Sequence, residues 1–155
     1  MKLAIAAAAA ALVAVAGAAL FYLAQDEAGG VHPPLAFEDA AVVAEGKVIY
    51  AAQCASCHGA DLEGEPDWRR PEPNGRMPAP PHDHSGHSWH HDDATLFAIT
   101  KRGLAAMLGP DSQYESDMPA YGDVLNDVQI AAVLAYIKST WPAHLQVAQS
   151  RGRTD

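Results

Sequence analysis

"AAQCASCHGADLEG", residues 51–64, holds both cysteines of the chain, Cys54 and Cys57, with His58 directly behind the second. This spacing limits what the two thiols can do. A structural zinc site takes four ligands, usually two such pairs or a cysteine pair with a histidine pair. Only one cysteine pair is present, although other histidines are available. A redox-active Cys-x-x-Cys centre accompanies a βαβ pattern, and no strand-rich run supplies one here.

The third chemistry is C-x-x-C-H, the attachment motif for haem c. Cys54 and Cys57 would each form a thioether to a haem vinyl group. Residues three and four apart share a helix face, so the spacing suits a helix end. His58 then presents its ring to the iron from the same side. Five residues with three fixed can arise by chance, so the surrounding chain has to decide.

At 155 residues a single domain is expected. Much of the apolar fraction is alanine near the N-terminus. After Lys2, residues Leu3 to Ala24 carry no charge. As a helix this run spans about 33 Å, against roughly 30 Å of bilayer hydrocarbon. Lys2 before it and Asp26 and Glu27 after it favour a cytoplasmic N-terminus. The expected division is therefore an anchor or signal peptide over 1–24 and a Gly- and Pro-bearing linker over 25–36. The main domain follows over 37–142, and a flexible tail over 143–155. A cleaved signal peptide ending at "AGA", 16–18, is the competing reading. It would leave an apolar mature start, so an uncleaved anchor is favoured. The formal charge of −9 makes nucleic acid an unsuitable partner. The acidic residues read as solvated surface or as steering toward a basic docking face.

Helical periodicity organises the rest. "FEDAAVVAEGKVIYAAQC", 37–54, runs straight into the cysteine pair, with Val43, Gly46, Ile49 and Tyr50 spaced for one face. Residues 60–92 carry six prolines and little periodicity. That length of irregular chain suits a functional or ligand-wrapping loop. "DDATLFAITKRG" restarts a helix at Asp92 or Asp93, with Gly103 as a stop. "LNDVQIAAVLAYIKSTWP" is the clearest helix. Asn126 and Gln129 make a capping box, Ile130, Val133, Leu134, Ile137 and Trp141 an apolar stripe, and Pro142 an end. The fold class is all-α, with three to five short helices around one haem.

Iron needs a second axial partner opposite His58, and a methionine thioether raises the reduction potential. Met77, Met107 and Met118 are the candidates. Met118 stands in "SDMPAYGDVLNDVQI", a loop that delivers the chain to the last helix. A ligand there reaches the open iron face while that helix packs on the first. Met118 is therefore favoured, with Met107 the leading substitute. A methionine filling a gap in the core is the plainer alternative.

With "EGKVIYAAQCASCHG", "DATLFAITKRG" and "DMPAYGDVLNDVQIAAVLAYIKS" in place, the chain resembles a class I c-type cytochrome of the bacterial mono-haem kind. The resemblance covers most of residues 38–141. It implies a cytochrome c fold in which the first and last helices cross closely at Gly46, Tyr50 and Tyr136. It also implies a proline carbonyl that holds the second ring nitrogen of His58. Pro80 fills that role, with Pro81 its rival, although His82 stands where the family usually has leucine. Arg76 and Trp89 are candidates for the haem propionates.

By the same resemblance the protein is not an enzyme but a one-electron carrier with one covalent haem c. Cys54 and Cys57 tether the haem, and His58 and Met118 ligate its iron. It would work between a membrane donor and acceptor at the periplasmic face of a bacterial inner membrane. The alternative is a haem-based sensor, or a copper-binding accessory cytochrome using "HDHSGHSWHH", 82–91. That segment holds five of the eight histidines, and imidazole suits copper. No single regular structure aligns all five.

Overall fold

Asp39 starts the first helix, because its side chain accepts hydrogen bonds from the Ala41 and Val42 amides, at 2.8 and 3.3 Å. The computed structural model describes residues 32–109 and 111–150. The expected anchor or signal segment lies outside the described residues. Among those residues no helix is long and apolar enough to cross a membrane. The regular elements are α1 (Ala40–Gln53), α2 (Ala55–His58), α3 (Asp93–Arg102), α4 (Leu104–Met107), α5 (Asp127–Ser139) and α6 (Ala143–Ser150). A 3-10 turn, Ser88–His90, lies within the long loop.

Cys54 is both the last cap of α1 and the first cap of α2. The cysteine pair therefore sits at a bend between two helices. Asp92 caps α3 by accepting from the Thr95 amide at 2.7 Å. Gly103, at φ 81°, ends it in a backbone conformation that a side chain would strain. Asn126 and Gln129 form the expected capping box at the start of α5, each bond 3.0 Å. These local signals match the positions read from the sequence.

The core forms where α1 crosses α5. Ile130, Val133, Leu134, Ile137 and Trp141 are all buried, as the stripe predicts, and so are Ala131, Ala132 and Ala135. The small residues let the two helices approach. A Cβ on Gly46 would stand 2.6 Å from the Ala132 carbonyl carbon, closer still to its oxygen, and 2.9 Å from the Tyr136 Cβ. One turn on, the Tyr50 and Tyr136 rings meet with centroids 5.5 Å apart. The close crossing expected at Gly46, Tyr50 and Tyr136 is present.

The all-α class is as expected, with six α-helices among the described residues: α2 and α4 are separate single turns and α6 follows Pro142. Two other expectations are corrected. Residues 143–150 are not a flexible tail. Leu145 packs against the core, and the buried Gln149 donates to the His91 carbonyl at 3.1 Å and to the Asp93 carboxylate. The end of the supposed linker is also packed: Leu35 is buried, and His32 stacks on Phe97 at 5.4 Å.

Gln149 joins a polar network centred on Lys138. Its ammonium is buried on α5 and donates to both Asp93 carboxylate oxygens, at 3.0 and 3.1 Å. Breaking a wholly buried pair costs about 3–5 kcal/mol. Asp93 keeps partial exposure, so Asp93→Asn should cost less, about 2 kcal/mol. Chemical denaturation of the variant beside wild type checks this value.

Candidate haem site

His58 closes α2 and is buried. Its Nδ1 donates to the Pro80 carbonyl at 2.8 Å. A carbonyl only accepts, so in the neutral ring Nδ1 carries the proton and Nε2 keeps its lone pair. Burial holds the ring below the usual histidine range, against the opposing pulls of the Pro80 bond and Glu65. A neutral imidazole is the form that binds a metal. Pro80, rather than Pro81, is the proline the resemblance calls for.

Several contacts bring that carbonyl into place. The Tyr50 hydroxyl donates to the His58 and Gly59 carbonyls, at 3.2 and 2.9 Å, and pins the end of α2 from the core side. Gly64, at φ 68°, lies flat against the proline segment: a Cβ there would be 2.7 Å from the Pro80 carbonyl carbon. Glu65 then pairs with Ala79 twice, its amide donating to the Ala79 carbonyl and its carboxylate accepting from the Ala79 amide. Gly64 and Glu65 were missed in the sequence. The only signal was a second glycine soon after the motif, which acquires meaning once Pro80 is known to lie beside it.

A cavity of about 510 Å³ opens next to His58. That is within the ordinary range for a ligand site. Cys54, Cys57 and His58 form part of one wall, Leu96, Ile99 and Leu104 another, and Val133, Leu134 and Ile137 come from α5. Burial, with Cys57 as the second cause, pushes the Cys54 thiol up to about 11.

Met118 lines the same cavity, and so does Met77. Met107 does not: it is exposed, and its sulfur accepts from Arg102 at 3.3 Å. It is therefore withdrawn as a substitute ligand. Tyr121 secures the loop that carries Met118. Its hydroxyl donates to the Gln53 carbonyl at 2.6 Å, and its amide to the Thr100 carbonyl at 3.0 Å. The loop is thus tied to the ends of both α1 and α3.

The histidine-rich loop is split by the fold. His82, His87 and His91 line the cavity, whereas His84 and His90 are exposed and do not. His87 and His91 meet edge to face at 5.5 Å through the 3-10 turn rather than on a helix, and Trp68 stacks on His87 at 5.4 Å. Among the described residues, no group of three or more histidine, cysteine or carboxylate side chains is placed to hold a metal ion. Among the described residues the copper alternative therefore lacks a set of three such donors. His82 instead lies against His58, ring centroids 3.9 Å apart and planes tilted by 32°, and bonds Ser88 through Nδ1 at 3.0 Å. Burial, then the neighbouring His58 and His87, holds it well below the usual range. Arg76 and Trp89 do not line the cavity. Arg76 is engaged by Glu115 and Asp117, and the Trp89 indole N–H is buried without a partner. The ion pairs take up Arg76, so its expected role at the propionates is not supported, whereas the orphaned Trp89 N–H is free to donate to an acceptor.

The pinned imidazole, paired thiols and thioether around one largely apolar space suit a covalent haem with nitrogen and sulfur available to its iron. The cytochrome c family model matches residues 43–141, and the chain belongs to that family. Comparison with curated proteins and with solved structures found no match. A cytochrome c domain binds haem c covalently and carries electrons between redox partners, and Cys54, Cys57 and His58 stand in the attachment spacing.

Proposed function

We propose that Cys54 and Cys57 tether the haem, that His58 and Met118 are its axial ligands, and that the protein shuttles single electrons between respiratory partners. We place it at the periplasmic face of a bacterial inner membrane, held there by the apolar run 3–24. The observation that carries this reading is the His58–Pro80 bond, which leaves Nε2 unprotonated on a ring lining the same cavity as Met118. Haem c, when bound, supplies a one-electron iron couple.

The chain's own residues do the rest. Pro80 fixes the His58 tautomer and ring orientation, as outer partners of ligating histidines do. Leu96, Ile99, Val133, Leu134 and Ile137 exclude water from the cavity, and a dry surround helps set the potential. Tyr121 keeps the Met118 loop closed. A tether would raise the effective concentration of the domain near membrane partners.

A carrier keeps both axial positions filled. Carbon monoxide added to the ferrous protein should therefore leave its absorption spectrum unchanged. A shifted main band at low gas concentration would move the reading to ligand sensing. Retention of the full chain in membranes after an alkaline carbonate wash tests the anchor, and release would point to a soluble periplasmic protein.

A further inference from the structure

Two Met-Pro-Ala runs occur in this chain, at 77–79 and 118–120, and each is preceded by a charged residue, Arg76 and Asp117. The fold brings these two charges together. Arg76 pairs with the Asp117 carboxylate through Nη1. It donates to Glu115 through Nη2 at 2.8 Å and Nε at 3.2 Å. Met77, Asp117 and Met118 all line the cavity.

The guanidinium is presented from a braced turn. The Arg76 amide donates to the Asn74 side chain at 2.8 Å, and its carbonyl accepts from the Glu72 amide at 2.8 Å. Four residues further on, the same segment supplies the Pro80 carbonyl to His58. The ion pairs therefore join the segment that orients His58 to the loop that carries Met118.

We propose that Arg76 is a positioning residue, a clamp that holds the 115–118 loop against the 72–80 segment and so keeps the Met118 sulfur in the cavity. The proposal rests on Met118 being the distal ligand. Tyr121 anchors the loop on its C-terminal side, through Gln53 and Thr100. Arg76 anchors its N-terminal side, and the methionine lies between the two. Opening the clamp frees that side of the loop without disturbing the helix crossing. An external base could then reach the iron more easily.

The test is imidazole titration of the ferric full-length holoprotein, followed by absorption, at low salt and in about 1 M salt. Arg76→Gln should bind imidazole about three- to tenfold more tightly than wild type at low salt, the range that loss of exposed ion pairs allows. Arg76→Lys should recover part of the difference, because it keeps the charge and loses the fork. At about 1 M salt the screening length is about 3 Å, so wild type should approach Arg76→Gln. Asp93 does not itself line the cavity, so Asp93→Asn weakens the fold and should leave imidazole affinity within about twofold of wild type.

An unchanged affinity in Arg76→Gln at low salt would overturn the clamp. So would a rise of equal size in Asp93→Asn, or one that high salt leaves intact, since either means general loosening or lost packing. Absence of the far-red sulfur-to-iron band from wild type would overturn the Met118 reading itself, and the clamp with it. The band present in wild type beside an indifferent Arg76→Gln would overturn the clamp alone.

Discussion

Met118→Ala should abolish the weak far-red sulfur-to-iron charge-transfer band of the ferric protein while the haem stays covalently attached. The cysteines and His58 come from the α1–α2 bend, and Met118 from a loop 60 residues later in the chain, so the change leaves the attachment side intact. On the proposed ligation, removing the thioether takes away a ligand that favours the reduced iron. The reduction potential should fall by on the order of 0.2 V, a fraction of the ~0.8 V over which axial ligands move haem. Spectroelectrochemistry reads both quantities on one sample. Retention of the band in the variant would transfer the sulfur to Met77, the other thioether lining the cavity. Met107 is not a contender, because it lies outside that lining.

Gly46→Ala should lower stability even though alanine is the better helix former. The substitution gains about 1 kcal/mol of intrinsic propensity. Against that, the new methyl meets the Ala132 carbonyl and the Tyr136 Cβ on the facing helix. The first obstacle is backbone, which cannot rotate away as a side chain could. Relief requires α1 and α5 to separate, and overpacking of this kind costs about 1–3 kcal/mol, occasionally more. We expect a net loss of about 1–2 kcal/mol and a fall in melting temperature of about 4–8 °C, followed by helix circular dichroism of the holoprotein. An unchanged or raised melting temperature would mean that the crossing is looser than the structure shows.

Much of the candidate site was legible because its determinants are local. Cys54, Cys57 and His58 form one pentapeptide, and thioether attachment needs only that spacing. The caps at Asp92 and Asn126 were readable for the same reason, since each side chain bonds an amide three residues ahead. The stripe from Ile130 to Trp141 follows from a single helical period. Less was legible where a residue's meaning depends on a distant partner. Arg76 reads as a propionate candidate until Glu115 and Asp117, about 40 residues on, are seen to occupy it. The 82–91 loop offers a metal-binding tract as an alternative until the fold sends some of its histidines toward the cavity and others to solvent. Residues 143–150 read as a tail because their apolar pattern is weak. They are held by Leu145 on the core and by Gln149 against Asp93.

By itself the sequence determined the attachment chemistry, the helical class and the capped helix starts at Asp92 and Asn126, because each depends on neighbours within about one turn. Only the tertiary structure decided between Pro80 and Pro81, ruled out Met107, placed Met77 and Met118 in one cavity and gave Gly46 its necessity. Those outcomes depend on which atoms meet across loops tens of residues long. The cost of closing such loops rises only slowly with their length, so spacing along the chain does not select the partner. Packing of α1 against α5, and of the proline segment against Gly64, selects it instead.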